Sequence, residues 1–283
     1  MSIVITGATG NLGGLTVDAL VRRGVEPAEI VAAGRNVERL AEHADKGVRT
    51  ARFDIDDPDS LSSAFGGAQR VLLVSMPGNP RRVEQHRDAI QAAEAAGVEL
   101  LVYTSFIQAQ TSSDHAAHQQ TERLLGESSV PHVVLRNGVY FSFFARQIPG
   151  WREEGRIVGC AGDGRISAAS WTDLADAAAA VLTTSGHEGA VYELGSDEPF
   201  SMPELAAELS RQTGKTIPYV QLSVDELEAL LRDAGNAEPL AERLVRLDRA
   251  IAAGELAIDG GDLRRLVGHP LVTLSATIAE ALG

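Results

Sequence analysis

Three glycines follow a short apolar run near the start of the chain, in Ile3-Val4-Ile5-Thr6-Gly7-Ala8-Thr9-Gly10-Asn11-Leu12-Gly13. The β-branched residues predict a strand, and the apolar spacing beyond the glycines predicts an amphipathic helix. A strand, a glycine turn and a helix in this order begin a dinucleotide-binding βαβ unit. Gly7 permits the turn, Gly10 lets the backbone approach a pyrophosphate, and Gly13 lets the helix lie against the sheet. The free N–H groups at the helix start attract the phosphate charge.

Charge and cysteine content narrow the classes of partner. The chain of 283 residues has 25 basic and 39 acidic residues, and its formal net charge of −14 repels nucleic acid and anionic membranes unless a basic patch intervenes. The paired arginines stand isolated among acidic residues. Cys160 is the only cysteine, so no intramolecular disulfide can form, and no apolar run approaches the roughly 20 residues of a membrane span. We expect a cytoplasmic protein without nucleic-acid or membrane partners; a homodimer is left open.

Strand and helix patterns alternate through the first half of the chain, which is typical of a parallel sheet covered on both faces. The predicted strands span residues 3–5, 30–33, 48–53, 71–74, 100–103 and 133–135. Predicted helices separate them, at residues 37–43, 60–65, 82–96 and 115–126 after the first. Six strands suffice for a Rossmann-type, doubly wound α/β fold.

Beyond about residue 150 the pattern changes. Residues 174–182 predict an alanine-rich helix, 190–194 a short strand, and 202–212 and 224–234 amphipathic helices. This half has no glycine fingerprint of its own. We therefore expect a nucleotide-binding domain at residues 1–150 and a smaller α/β substrate lobe at 151–283, with segments that can interleave. The lobe would lie over the carboxyl edge of the sheet and leave a cleft for substrate.

The end of the second predicted strand indicates which nucleotide binds. An NAD site usually has a carboxylate here for the ribose hydroxyls, but this chain reads Ala32-Ala33-Gly34-Arg35-Asn36. Gly34 leaves space, and the Arg35 guanidinium suits a 2′-phosphate. The position favours NADP over a surface arginine that only caps a loop. Asp54, at the end of the third strand, either contacts the adenine side or caps the next helix.

Several separate segments resemble one known family. They include residues 6–13, Tyr103-Thr104-Ser105, Leu135-Arg136-Asn137-Gly138, Gly162-Asp163-Gly164, Val191-Tyr192-Glu193-Leu194 and Leu266-Val267-Gly268-His269-Pro270. Together they resemble the NmrA-like group of atypical short-chain dehydrogenases, nearly end to end. The resemblance implies an NADPH-dependent reductase that passes a hydride directly to a quinone, without flavin. Triphenylmethane-type dyes are the alternative substrates, and an NADP-binding redox-sensing regulator is the alternative from a different class.

The resemblance also implies a set of site residues. Those expected to hold the cofactor are Gly7, Ala8, Thr9, Gly10, Asn11, Leu12, Arg35, Ser75, Met76, Pro77, Tyr103, Thr104, Ser105 and Asn137. Asn137 and Tyr140 are expected near the nicotinamide and the substrate, as catalytic residues. Aromatic residues cluster after the fifth and sixth strands, where a flat substrate could lie. The predicted pocket residues are Phe106, Tyr140, Phe141 and Phe144.

One departure from the wider superfamily bears on the mechanism. The chain has no Tyr-x-x-x-Lys pair, and alignment on Glu122 puts Asp114 and His118 at those two positions. Sugar epimerisation and ordinary ketone reduction need such a tuned acid or base. A quinone needs less help, because its reduction restores aromaticity. His118 is either a catalytic proton carrier or an exposed polar residue at a helix start, and no metal site is expected.

Overall fold

The computed structural model describes residues 1–76, 79–110, 115–234 and 238–283. Its strands are β1 (Ile3–Ile5), β2 (Ile30–Gly34), β3 (Arg49–Arg52), β4 (Arg70–Leu73), β5 (Leu100–Phe106), β6 (His132–Asn137), β7 (Ile157–Gly159), β8 (Arg165–Ile166), β9 (Val191–Leu194), β10 (Phe200–Ser201) and β11 (Tyr219–Gln221). Its helices are α1 (Asn11–Arg22), α2 (Ala41–Asp45), α3 (Pro58–Phe65), α4 (Arg82–Ala95), α5 (Ala116–Glu127), α6 (Phe141–Ala145), α7 (Ile148–Glu154), α8 (Trp171–Thr183), α9 (Met202–Thr213), α10 (Val224–Asp233), α11 (Glu238–Ala252), α12 (Asp262–Val267) and α13 (Leu274–Leu282). Short 3-10 helices lie at Pro27–Glu29 and Val37–Leu40.

A parallel sheet carries the predicted Rossmann-type topology. Within the described residues it has seven strands in the order β3-β2-β1-β4-β5-β6-β9. The order reverses between β1 and β4, the switch point where doubly wound sheets bind their ligands. Strands β1 and β2 are apolar and buried along their length, as is usual for parallel strands covered by helices on both faces. The predicted fold class is confirmed.

The strand predicted at residues 190–194 exists, but its predicted place in the smaller lobe is wrong. As β9 it pairs in parallel with β6, with Val134 opposite Val191 and Asn137 opposite Leu194. The alanine-rich helix before it, α8, packs against α1 of the sheet domain, where Arg22 Nη2 lies 2.7 Å from Asp176 Oδ1. A short strand followed by turns does not reveal its pairing partner, because that partner is remote in sequence.

The chain forms two compact units, and both are discontinuous in sequence. The first comprises Met1–Asn137, Trp171–Leu194 and Asp262–His269, and it contains the parallel sheet. The second comprises Gly138–Ser170, Gly195–Gly261 and Pro270–Gly283. Its described residues include two small sheets, β7 with β11 and β8 with β10. In the portion of the chain that the structure describes, no helix combines the length and the apolar character needed to cross a membrane.

Candidate nucleotide and substrate site

The glycine turn between β1 and α1 is closed by backbone contacts that exclude side chains. Gly7 adopts a left-handed φ of 63°, and the Gly10 N–H donates to the Gly7 carbonyl oxygen at 2.9 Å. A Cβ on residue 13 would lie 2.4 Å from that same oxygen, so α1 can approach the turn only with glycine there. The first turn of α1 has neither a side-chain cap nor an acidic residue. Its N–H groups therefore suit a phosphate, as predicted.

The end of β2 presents an unpaired arginine. A Cβ on residue 34 would lie 2.8 Å from Thr9 Cγ2, so Gly34 lets Thr9 of the glycine turn pack against the strand. Arg35 follows directly and is exposed, and no described residue hydrogen-bonds or ion-pairs with its guanidinium. Five N–H donors thus remain at the predicted 2′-phosphate position.

The two roles considered for Asp54 are separated by the structure. Asp57, not Asp54, caps α3, because its side chain accepts hydrogen bonds from the backbone N–H groups of Asp59 and Ser60. Asp54 instead lies 3.2 Å from Arg52 Nη2, and it accepts from the Asp56 N–H. The capping alternative for Asp54 is therefore wrong, and the adenine contact stays a prediction.

Two hydroxyl groups fix the segment after β4, where Ser75 and Met76 were predicted to meet the cofactor. Thr6 Oγ1 accepts from the Val74 N–H at 3.0 Å, and Thr104 Oγ1 accepts from the Ser75 N–H at 2.9 Å. The segment is thereby held to β1 and β5 at their carboxyl ends. Pro77, predicted to continue it, lies outside the described residues.

An ion-pair network holds the carboxyl ends of β5, β6 and β9 together. Arg136 donates from Nε and Nη2 to the two carboxylate oxygens of Glu122 at 3.1 and 2.7 Å, and from Nη1 to Glu193 at 2.8 Å. Ser105 Oγ donates to Glu122 Oε1 at 2.6 Å. Burial on its own raises the pKa of Glu122, but hydrogen bonds from Arg136, Ser105 and Gln110 outweigh it, and the pKa lies below its usual value.

Sequence reasoning used Glu122 only as an alignment landmark and missed this network. The available signal was Arg136, a charged residue directly after the apolar run Val133-Val134-Leu135. An arginine inside a buried strand needs a carboxylate partner nearby. The sequence did not show which acidic residue supplies it.

Asn137 ends β6 with an unsatisfied polar group. The residue is 2% exposed, and its side-chain Oδ1 is buried without a hydrogen-bond partner among the described residues. Its backbone oxygen accepts from the Ile107 N–H at 3.0 Å. Because buried polar atoms are nearly always paired, this unpartnered oxygen suits a ligand that donates a hydrogen bond at this strand end. This fits the predicted position of Asn137 beside the nicotinamide and substrate.

His118 lies in the first turn of α5 but is buried, so the alternative that it is an exposed polar residue is wrong. Its Nδ1 and Tyr103 Oη are joined by a hydrogen bond of 2.9 Å. Burial and the positive charge of Arg82 lower the pKa of His118 to about 3. His118 is thus neutral at physiological pH and is a poor acid. Tyr103 is fully buried in the core, and its cofactor contact, like the catalytic role of His118, stays a prediction.

The predicted pocket aromatics divide into two environments. Phe141 and Phe144 are 3% and 2% exposed and pack on Phe200, with ring centroids 6.0 and 5.4 Å away. These two occupy core positions of the second unit. Tyr140 is half-buried beside them and forms a β-bridge with Ala169.

Phe106, in the first unit, is also half-buried, and its ring lies 4.3 Å from the His115 ring. The pocket assignment of all four aromatic residues stays a prediction. Asp114, which was aligned with the missing tyrosine, lies outside the described residues.

Comparison with known proteins agrees with this geometry. The model of the NmrA-like family matches residues 1–256. The chain belongs to the NmrA-like family. Among curated relatives in this family, quinone oxidoreductase 2 of Escherichia coli K12 is 39% identical over 280 residues, covering 98% of each chain.

Two solved structures are similar to this NmrA-like chain over its whole length. One is the NADPH-dependent quinone oxidoreductase QOR2 of Escherichia coli in complex with NADPH, with a TM-score of 0.95, 38% identity, and coverage of 99% of this chain and 100% of that one. The other is the triphenylmethane reductase of Citrobacter sp. complexed with NADP(H), with a TM-score of 0.94, 36% identity, and the same coverage. The predicted family is confirmed.

Proposed function

We propose that this protein is an NADPH-dependent oxidoreductase that reduces quinones by direct hydride transfer, without flavin. The observation that carries the proposal is the end-to-end similarity to a quinone oxidoreductase whose solved complex holds NADPH. The proposal keeps nucleotide binding in the first unit and substrate binding in the second, with the units bounded as the structure has them instead of divided at residue 150. The cytoplasmic location, the lack of a nucleic-acid partner and a homodimer stay predictions.

The residues present fit the proposed cofactor. The uncapped start of α1 receives the pyrophosphate, and the unpaired Arg35 receives the 2′-phosphate. The unpartnered Oδ1 of Asn137 gains a hydrogen-bond donor at the nicotinamide end. When bound, NADPH supplies the hydride. The protein's share of catalysis is to hold the two rings in reacting contact, since quinone reduction restores aromaticity without a strong acid.

Proton delivery through the buried Tyr103–His118 pair is not part of this mechanism. His118 is neutral at neutral pH, because burial and Arg82 lower the pKa of its imidazolium to about 3, and the one N–H that a neutral imidazole keeps is a very weak acid. Burial also raises the pKa of Tyr103, so its hydroxyl stays protonated. Water is then the proton source for the reduced quinone.

Cofactor selectivity tests the proposed dependence on NADPH. Arg35→Ala should weaken NADPH binding by roughly 10- to 100-fold and leave NADH nearly unchanged, since a charge-assisted hydrogen bond contributes about 1.5–3 kcal/mol. Arg87→Ala removes the same charge from the exposed face of α4 and serves as the matched control. Titration calorimetry of both nucleotides decides it. Equal losses of affinity for NADPH and NADH would show that Arg35 does not contact the 2′-phosphate.

Turnover with different substrates tests the proposed reduction of quinones. NADPH oxidation by the purified, colourless protein should proceed with quinones in a panel of quinones, triphenylmethane dyes and aldehydes. Reduction of dyes alone would favour the second candidate, which the similarity to triphenylmethane reductase supports. Tight NADPH binding with no turnover of any compound would favour a redox sensor. Stoichiometric bound flavin would refute direct transfer.

A further inference from the structure

The Ser105 hydroxyl already donates its only proton in a hydrogen bond within the protein. Its Oγ donates to Glu122 Oε1 at 2.6 Å, a short contact of the kind made with a charged acceptor. A serine hydroxyl has one O–H and two acceptor lone pairs. No described residue donates to Ser105 Oγ. A ligand that reaches this hydroxyl therefore meets lone pairs, and it must itself be a donor.

Glu122 is held in the acceptor state. Arg136 contacts both of its carboxylate oxygens, and Gln110 Nε2 donates to Oε2 at 2.5 Å. Arg136 is held in turn by Glu193 on β9, at 2.8 Å. The Glu122 side chain is 7% exposed, so water competes little for these contacts. An ionised carboxylate cannot donate, and the direction of the Ser105 hydrogen bond is fixed.

Ser105 lies where ligands of doubly wound sheets bind. It is at the carboxyl end of β5, opposite Arg136 in the β5–β6 register and next to the pair formed by Phe106 and Asn137. The preceding residue, Thr104, anchors Ser75 after β4. Ser75, Thr104 and Ser105, which are all predicted to hold the cofactor, thus lie together at the carboxyl ends of β4 and β5.

We propose that Glu122 commits the Ser105 hydroxyl to accepting a hydrogen bond from the carboxamide amino group of the nicotinamide. Ser105 is then a cofactor-binding residue, and Glu122 and Arg136 are positioning residues that act through it. The inference rests on the proposed NADPH binding. An amide NH₂ has only donors, whereas a quinone carbonyl has only lone pairs and would be repelled at this point. Ser105 therefore selects and orients the cofactor, and it does not protonate the substrate.

A cofactor analogue separates this proposal from a structural role. In 3-acetylpyridine adenine dinucleotide phosphate a methyl ketone replaces the carboxamide, so the N–H donors are lost and the phosphates are kept. The wild type should bind NADP⁺ about tenfold more tightly than this analogue, the loss expected for about 1.4 kcal/mol of hydrogen bonding. Ser105→Ala should weaken NADP⁺ about tenfold and leave the analogue's affinity unchanged. Glu122→Gln should reduce the preference in the same direction.

The chain offers a matched control on the side of the sheet where the amino ends of the strands lie. Ser128 Oγ donates to Glu94 Oε1 at 2.8 Å, between the ends of α5 and α4. Ser128→Ala and Glu94→Gln break the same kind of contact there, and they should leave the preference at the wild-type value. If Glu122→Gln fails to fold, Ser105→Ala, which removes a single oxygen, carries the test.

Two results would overturn the inference while the proposed function stands. These are equal affinity of the wild type for NADP⁺ and the analogue, and equal weakening of both ligands by Ser105→Ala. Loss of the preference in the Ser128→Ala control would also count against it, because the effect would then be general. Failure of the wild type to bind NADP⁺ at all would refute the proposed function itself.

Discussion

Removal of Arg136 should strongly destabilise the sheet domain. The Arg136 and Glu122 side chains are 15% and 7% exposed. Arg136→Met keeps the length of the side chain and removes its charge, leaving Glu122 buried without its counter-ion. Breaking a buried pair in this way costs about 3–5 kcal/mol. Arg22→Met is the control, because the Arg22 side chain, which pairs with Asp176, is 54% exposed and pairs of this kind contribute about 0–1 kcal/mol.

The loss should depend on pH with a definite sign. In the wild type the folded pKa of Glu122 lies below its usual 4.5, so the pair stabilises above that pH and loses its effect as the pH falls through the folded pKa. Without Arg136, burial raises the pKa, and protonation on acidification relieves the uncompensated charge. The stability difference between Arg136→Met and the wild type should therefore shrink from pH 7.5 to pH 5.

Urea denaturation of the wild type, Arg136→Met, Arg22→Met and the double variant Arg136→Met/Glu122→Leu measures this. The double variant should recover most of the stability, because an apolar pair of similar volume can replace a buried ion pair. A loss below about 1 kcal/mol in Arg136→Met, or a loss that grows on acidification, would refute the assignment of Glu122 as a buried carboxylate dependent on Arg136.

Two further predictions concern the glycine turn and the buried histidines. Gly13→Ala should lower the free energy of unfolding by about 1–3 kcal/mol and weaken NADPH binding, because its Cβ would lie 2.4 Å from the Gly7 oxygen. Gly126→Ala in α5 is the control: its Cβ would have no atom within 4 Å, and the change should be neutral or stabilising. Denaturation and nucleotide titration of both variants check this. Burial lowers the folded pKa of His86 and His118 from 6.5 to about 3, so the unfolded chain binds more protons below pH 6.5 and stability should fall there by about 1.4 kcal/mol per pH unit for each histidine. His86→Gln should halve that slope between pH 6 and pH 5 in urea titrations, and an unchanged slope would contradict the assignment.

The fold could be predicted because its signals are local. The glycine turn and each strand or helix pattern are contained in a few neighbouring residues, and the structure contains these elements. The lack of a carboxylate directly after β2, which indicates the nucleotide, is also a local feature of the sequence. Packing contacts that pair residues remote in sequence could not be predicted. The pairing of β9 with β6, the burial of His118 against Tyr103 and the link between Arg136 and Glu122 are of this kind. The polar neighbours of His118 suggested exposure, whereas α5 directs the side chains of His118, Thr121 and Leu125 into the core.

The separation of β9 from β6 along the chain has a consequence for synthesis on the ribosome. After β6 the polypeptide leaves the first unit, and it returns only at Trp171–Leu194 and again at Asp262–His269. Until β9 emerges, β6 is an open sheet edge with unpaired backbone groups, a template for association with other chains. Glu193 arrives with the same strand, so Arg136 also waits for its second carboxylate. A nascent chain that stalls before residue 191 should therefore aggregate more readily than one released at full length.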